Sequence, residues 1–180
     1  MKKNFYKLFK TKKPIIAMVH FPALPGTPLY DEKKGLNYIY KSIEADLINL
    51  QKADVDAVMF GNENDRPYEL KVNPATLSTM SYMIGKLSEK ITIPFGVNVL
   101  WDPISTIALA VSTKAKFVRE IFTGTYASDM GIWSPNAGEA MRYRNSLGRK
   151  DIQMYYNISA ERVRQIESSA IKKLRNSINK

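Results

Sequence analysis

Residues 94–135 read PFGVNVLWDPISTIALAVSTKAKFVREIFTGTYASDMGIWSP, and this stretch decides the fold. Two apolar runs of strand length, 95–100 and 117–122, enclose a segment with helical spacing at 104–111. Polar residues follow each apolar run, where a strand would end. In a parallel α/β sheet this edge is where ligands bind. The stretch therefore predicts a β-α-β unit with a binding site at its carboxyl edge, although it does not name a reaction.

The same alternation continues on both sides of this stretch. Strands are predicted at five places: 14–20, 55–60, 95–100, 117–122 and 152–158. A helical pattern follows each of them: 36–50, 77–87, 104–111, 136–147 and 163–178. Strict alternation predicts parallel strands with right-handed crossovers, in an open doubly wound sheet or a (β/α) barrel. The first turn has no GxGxxG or P-loop pattern, which weakens the nucleotide-binding option.

Helix boundaries carry their own signals. A capping residue followed by proline is predicted to begin three helices, at Asn73-Pro74, Asp102-Pro103 and Ser134-Pro135. The cap side chain accepts a hydrogen bond from a free backbone N–H, and proline lacks the N–H that would be unpaired at the first position. Ser159 is predicted to cap the last helix, and Gly148 to end the one before it.

The net charge of +10 is concentrated at the two ends of the chain. Residues 1–13 contain six lysines and no acidic residue, and residues 161–180 contain six basic and two acidic residues. Residues 14–160 are balanced. A neutral body does not resemble a specific nucleic-acid-binding domain, whose basic residues line one face. We expect solvated basic ends, with at most peripheral contact with an anionic membrane.

Composition limits the remaining classes. The 180 residues fit one domain, which we assign to residues 14–180 after a basic N-terminal tail over 1–13. No apolar run is long enough to span a membrane, and the start does not resemble a signal peptide, so a cytoplasmic location is expected. The absence of cysteine excludes disulfides and thiolate metal sites, and one histidine excludes multi-histidine sites.

Several motifs resemble the BtpA/SgcQ family in order and spacing. The likeness covers about residues 14–160, and its segments are IIAMVHFPALPGTPLYD, VDAVMFGNENDRPY, GVNVLWDP, FVREIFTGTYASDMGIW and RYRNSLGRKDIQMYYNISAE. The resemblance implies a TIM-barrel fold. Family members continue beyond ISAE through further strands, so we expect about five βα units, truncated relative to a full eight-unit barrel. Open sheet edges would then favour a homo-oligomer that covers them or a poorly folding remnant, and a compact monomer would need the final helix to cover the gap.

Two residues are predicted to be catalytic. His20 follows the first strand and could act as a general acid or base near neutral pH, although a hydrogen bond to the proline-rich loop would also explain it. Glu63 follows the second strand and could bind a metal or move a proton. Its neighbours Asn62, Asn64 and Asp65 also suit a simple turn.

Four residues are predicted to bind substrate: Asn98, Asp102, Arg119 and Asp129. Asn98 is an amide inside an apolar strand and must find partners. Asp102 also has a structural explanation as a helix cap. Arg119 suits a phosphate or carboxylate, and alternation sends it and Glu120 to opposite faces of the sheet. Asp129 lies in a long loop that could act as a lid or contact a metal. The sequence identifies neither a metal nor a cofactor.

Three functions are compatible with these residues. The first is an enzyme, or a derivative of one, that binds a small sugar-like or phosphorylated metabolite at the carboxyl rim. The second, implied by the resemblance, is a noncatalytic assembly factor for a membrane complex, since the family's name comes from photosystem I biogenesis. The third is an inactive, truncated copy.

Overall fold

The computed structural model describes residues 7–9 and 11–156, and in them strands and helices alternate as predicted. The strands are β1 (Ile16–His20), β2 (Ala57–Gly61), β3 (Phe95–Asn98), β4 (Phe117–Glu120), β5 (Tyr126–Ser128), β6 (Gly131–Trp133) and β7 (Gln153–Tyr156). The helices are α1 (Gly35–Lys52), α2 (Pro74–Leu87), α3 (Pro103–Thr113) and α4 (Ala137–Ser146), with a 3₁₀ turn at Ser88–Lys90. The predicted last helix and its cap Ser159 lie outside the described residues.

Five strands form one parallel sheet in the order β1-β2-β3-β4-β7. This order follows the chain without reversal, as in a barrel, whereas a doubly wound sheet reverses its order at a switch point. The fold is therefore α/β and TIM-barrel-like, as predicted. Within the described residues β1 and β7 each pair with a single strand, and pairing between copies across these edges stays a prediction.

The sheet has two apolar faces. Its outer face packs against the helices and carries four fully buried valines, one on each of the first four strands: Val19, Val58, Val97 and Val118. The opposite, inner face carries a smaller cluster of Ala57, Met59 and Phe117, with Ile16 and Met18 against it. Neighbouring residues of a strand alternate between faces, which is why the strands are apolar along most of their length.

The inner face is covered in part by the N-terminal segment. Phe9 is only 2% exposed, and its ring lies 5.6 Å from that of Phe117 and 6.3 Å from that of Tyr155, between centroids. Leu8 packs against the same cluster. The expectation of a solvated tail is therefore wrong for these residues, because an apolar pair inside a lysine-rich segment reaches the inner face of the sheet.

Two predicted helix caps are confirmed. The side chain of Asn73 accepts a hydrogen bond from the backbone N–H of Thr76 at 3.0 Å, and Asp102 accepts one from Ser105 at 2.9 Å. Both are followed by proline at the start of the helix. Each βα connection thus ends in a fixed geometry, which holds the loops at the carboxyl edge in place.

The predicted cap of α4 is wrong. Asn136, not Ser134, caps this helix by accepting from the backbone N–H of Glu139 at 3.1 Å. Ser134 follows strand β6 directly and donates from Oγ to Thr125 Oγ1 at 3.0 Å, so it belongs to the preceding hairpin. Gly148 adopts a φ of 72° just after the helix and ends it as predicted.

The antiparallel hairpin of β5 and β6 was not predicted. It occupies the connection from β4 to α4, which was expected to be an irregular loop. Each strand has only three residues, too few for a period of two to be recognised in the sequence. The hairpin adds structure to the sheet edge where the site is expected.

Gly96→Ala should destabilise the protein by about 1–3 kcal/mol, the usual cost of overpacking a core. A Cβ at this position would lie 2.2 Å from the ring of Phe117, which is itself buried on the inner face. Urea unfolding would measure the loss. Gly85→Ala is the matched control, because its Cβ would meet no atom within 4 Å and helix propensity favours alanine there. Equal effects of the two substitutions would contradict this packing.

Within the described residues, no helix combines the length and apolar character needed to cross a membrane.

Candidate functional site

The register of the parallel strands places predicted site residues in one row at the carboxyl edge. His20 is aligned with Gly61, and Gly61 with Asn98. Further along the sheet, Arg119 is aligned with Tyr155. Residues aligned across parallel strands point to the same face. The row thus brings three of the predicted residues together across four strands.

The row lies on the inner face. Residues two positions earlier on the same strands, Met18, Met59 and Phe117, belong to the inner cluster, and a step of two returns to the same face. Asn98 and Arg119 also follow directly after the aligned pair Val97 and Val118, which joins the two halves of the row. This is the face and edge at which TIM barrels bind their ligands.

Gly61 lies buried in the middle of this row. It has no side chain, and a Cβ there would lie 3.4 Å from Met18 Cε and 3.7 Å from the backbone oxygen of Asn98. His20, which is exposed, stands on one side of Gly61, and Asn98, only 3% exposed, on the other. The row thus places an imidazole and an amide on either side of a residue without a side chain.

Glu120 is a buried acid beside this row that sequence reasoning did not select. It is 1% exposed, and it accepts hydrogen bonds from Nδ2 of Asn98 and from the backbone N–H of Ile121. Burial raises the pKa of Glu120 to about 7, although the backbone N–H groups of Ile121 and Trp101, the Asn98 amide and the charge of Arg119 oppose this shift. The signal available in the sequence was an acid inside an apolar strand.

Both carboxylate oxygens of Asp102 accept hydrogen bonds from the surrounding structure. One carboxylate oxygen accepts from the backbone N–H of Ser105, and the other accepts from Ser105 Oγ at 2.7 Å and from the backbone N–H of Val72 at 3.1 Å. These contacts cap α3 and fasten the loop after β2 to it. The geometry accounts for Asp102 as a structural residue, and its predicted role in binding gains no support from it.

The loop after β2 is held mainly by its own polar side chains. Asp65 accepts from the backbone N–H of Leu24 at 2.8 Å and from Asn62 Nδ2 at 3.3 Å, and burial raises its pKa. Glu63 is half-buried, and its backbone oxygen accepts from the Tyr68 hydroxyl at 2.9 Å. Most acids and amides of this loop therefore have structural partners, while the Glu63 carboxylate lies two residues beyond Gly61.

Asp129 lies apart from the row. It is exposed in the turn between β5 and β6, next to Ser128, whose Oγ accepts from the backbone N–H of Met130 at 3.2 Å. Within residues 7–9 and 11–156, no group of three histidine or acidic side chains is placed to hold a metal ion. The predicted binding role of Asp129 stays a prediction.

Aromatic rings connect the hairpin to the rim. Trp101, in the loop after β3, has its ring centroid 5.4 Å from that of Trp133 in β6, with an interplanar angle of 72°. Tyr68 lies 6.4 Å from Trp101, and Tyr126 lies 5.7 Å from Trp133. The hairpin is thus packed against the loops that surround the Asn98 and Glu120 side chains.

An open cleft of about 440 Å³ lies beside His20, between the loop after β1 and the first turns of α1. Tyr30, Lys34, Tyr38 and Ser42 contribute to its lining. Lys34 is paired with Asp31 at 3.1 Å, and both are exposed. The volume is in the range of small-molecule sites. His20 is therefore part of the row and also lines a cleft of that size.

Comparison with known proteins gives a consistent picture. The model of the BtpA family matches residues 11–180. SgcQ of Escherichia coli is 49% identical over 151 residues, which are 84% of this chain and 56% of SgcQ. The photosystem I biogenesis protein BtpA of Synechocystis is 30% identical over 166 residues, 91% of this chain and 57% of that protein. The chain thus spans about half the length of the curated relatives that it matches.

Solved structures support the fold. The 7,8-dihydropteroate synthase of Vibrio fischeri, a TIM-barrel enzyme, is similar with a TM-score of 0.54 at 11% identity, over 79% of this chain and 44% of the synthase. At this identity the likeness shows the fold alone. The family match and the two relatives identify the lineage: the chain belongs to the BtpA family.

Proposed function

We propose that this chain acts as an enzyme that binds a small sugar-like or phosphorylated metabolite above the inner face of its sheet. The observation that carries the proposal is the aligned row, in which His20, Asn98 and Arg119 share one face and one edge. An imidazole, an amide and a guanidinium offer an acid–base group, a hydrogen-bonding group and an anion-binding group.

Arg119 is the residue that would hold the anionic group. Its side chain is exposed at the end of β4, on the face that carries the row. A guanidinium presents parallel N–H groups that match the oxygens of a phosphate or carboxylate. This geometry favours a ligand with a terminal anion over a neutral one.

His20 and Glu63 would exchange protons with the substrate. His20 stands at the end of β1 beside Gly61, and Glu63 follows β2 by two residues. A side chain that transfers a proton in the transition state must lie within hydrogen-bonding reach of the reacting group. His20 in the row and Glu63 just after β2 are the two groups proposed for this role.

Glu120 acts through Asn98 as a positioning residue, because its carboxylate is occupied by hydrogen bonds from the Asn98 amide and the Ile121 backbone. By accepting from Nδ2, its carboxylate fixes the orientation of the Asn98 amide. The Asn98 carbonyl oxygen and second N–H are then held in one direction for a ligand.

A thermal-shift screen against sugar phosphates tests the proposal. A binding compound at a hundredfold excess over its Kd should stabilise the protein by about 2.7 kcal/mol. Arg119→Gln should weaken binding at least about tenfold, the expected effect of losing charged hydrogen bonds. Arg142→Gln makes the same change at an exposed position on α4 and should bind like the wild type. No stabilisation of an intact fold by any compound would overturn the proposal.

A noncatalytic assembly role is the second candidate. Its support is the Synechocystis relative, which is named as a photosystem I biogenesis protein, together with Ile132, which is 82% exposed on the hairpin and offers an apolar contact. Liposome flotation separates the candidates, because a metabolite enzyme should stay at the bottom of the gradient. Flotation with anionic vesicles would favour the assembly role.

A further inference from the structure

The backbone of Trp101 adopts an uncommon conformation at the rim. Its φ is 67°, in the left-handed region that bulky residues rarely enter. Such conformations cost free energy, and they cluster at ligand sites, where surrounding contacts maintain them. Here the helix cap Asp102 follows directly and fixes the loop, because α3 begins at the next residue. The strain at Trp101 is therefore built into the connection between β3 and α3.

This conformation links Trp101 to the buried acid of the site. The backbone N–H of Trp101 is one of the groups that lower the pKa of Glu120, against the larger effect of burial. Glu120 in turn accepts from the Asn98 amide. The backbone of Trp101 thus influences the same carboxylate that contacts a residue of the inner row.

The indole of Trp101 has an unmet hydrogen-bonding requirement. Its Nε1 is buried and has no hydrogen-bond partner among the residues that the structure describes. A buried donor without an acceptor costs about 1–3 kcal/mol, and such groups are rare enough to require an explanation. Tryptophan can only donate at this atom. What is missing at Nε1 is therefore an acceptor, and an oxygen atom is the commonest one.

We propose that Trp101 binds the ligand of this site, donating its indole N–H to an oxygen of a hydroxylated, ring-containing phosphate ester whose ring packs against Trp101 and Trp133. This inference rests on the function proposed above and adds the ring and its oxygen to the anion bound by Arg119. Indole rings offer broad, rigid apolar surfaces with one polar atom, which suits the C–H face and hydroxyl groups of a sugar.

Because Nε1 of Trp101 is buried, a ligand can reach it only if a neighbouring segment moves, and the hairpin is the segment proposed to do so. Trp133 contacts Trp101 from β6, and in the described residues β5 and β6 pair only with each other. A two-stranded ribbon of three residues per strand is only marginally stable by itself. A shift of the hairpin would separate the two indole rings.

The test compares Trp101→Phe with Trp133→Phe in the full chain. Both substitutions keep an aromatic ring and remove one indole N–H, but only Trp101 has the buried, unpaired one. The probes are ribose 5-phosphate and inorganic phosphate, with Kd measured by titration calorimetry. Trp101→Phe should bind ribose 5-phosphate about fivefold more weakly, the effect of one neutral hydrogen bond. It should bind inorganic phosphate within twofold of the wild type.

Fluorescence gives a second readout, because the chain contains only two tryptophans. In Trp133→Phe the emission comes from Trp101 alone, and ribose 5-phosphate should shift it, whereas inorganic phosphate should not. Unchanged ribose 5-phosphate affinity in a folded Trp101→Phe variant would overturn this inference and leave the proposed function standing. Failure of both probes to bind the wild type would overturn both.

Discussion

Phe9→Ala should destabilise the protein by about 3 kcal/mol, the low end for removing a buried phenylalanine side chain. Phe9 is almost fully buried, and it contacts the rings of Phe117 and Tyr155 on strands more than a hundred residues away in sequence. Its loss would leave a cavity against the inner face of the sheet. Urea unfolding followed by circular dichroism would give the change in the free energy of unfolding.

Lys7→Ala is the control for this prediction, because Lys7 is exposed and lies two residues earlier in the same segment. It should change stability by less than about 0.5 kcal/mol. Phe9→Leu should fall between the two, since leucine fills part of the cavity. Equal midpoints for Phe9→Ala and the wild type would show that the segment contributes nothing to the core.

Glu120 should make stability fall as pH rises. Its folded pKa of about 7 lies above the ordinary value of 4.5, so between these values the folded state holds a proton that the unfolded state releases. Within this window the free energy of unfolding falls by about 1.4 kcal/mol for each pH unit, which makes the full loss on the order of 3 kcal/mol. The stabilisation is complete below pH 4.5 and lost above pH 7.

Glu120→Gln removes the titrating group and retains most of its shape. The difference in unfolding free energy between variant and wild type should therefore change by about 3 kcal/mol in favour of glutamine between pH 4.5 and 8. Glu89→Gln makes the same change at an exposed position and should follow the wild-type curve. A constant difference across this range for Glu120→Gln would contradict the burial of an acid at this place.

The fold was accessible from the sequence because its signals are local and repeated. Strand-length apolar runs, helical spacing and two of the three cap-proline pairs all agreed with the structure. The hairpin was not predicted because strands of three residues are too short to show a period of two in the sequence. The packing of Phe9 was not predicted because a contact with Phe117 and Tyr155 depends on the path of the chain in space, whereas the surrounding segment is rich in lysine.

The candidate site was accessible to a smaller degree. Parallel strands in register align the residues at their carboxyl ends, so His20, Asn98 and Arg119 could be expected in one region. Glu120 could not be assigned in the same way. Alternation directs it away from Arg119, yet its side chain reaches the Asn98 amide, and the reach of a flexible side chain is not part of the strand period.

Because Gly61 has no side chain, a substitution at this one position would change the size of the proposed site. The backbone there has room for a Cβ at ordinary van der Waals distance from its neighbours, so the fold itself does not demand glycine. Under the function proposed above, each carbon added at this position would take up volume between the imidazole of His20 and the amide of Asn98. A larger residue there would then restrict binding to shorter compounds, while every polar group stays in place.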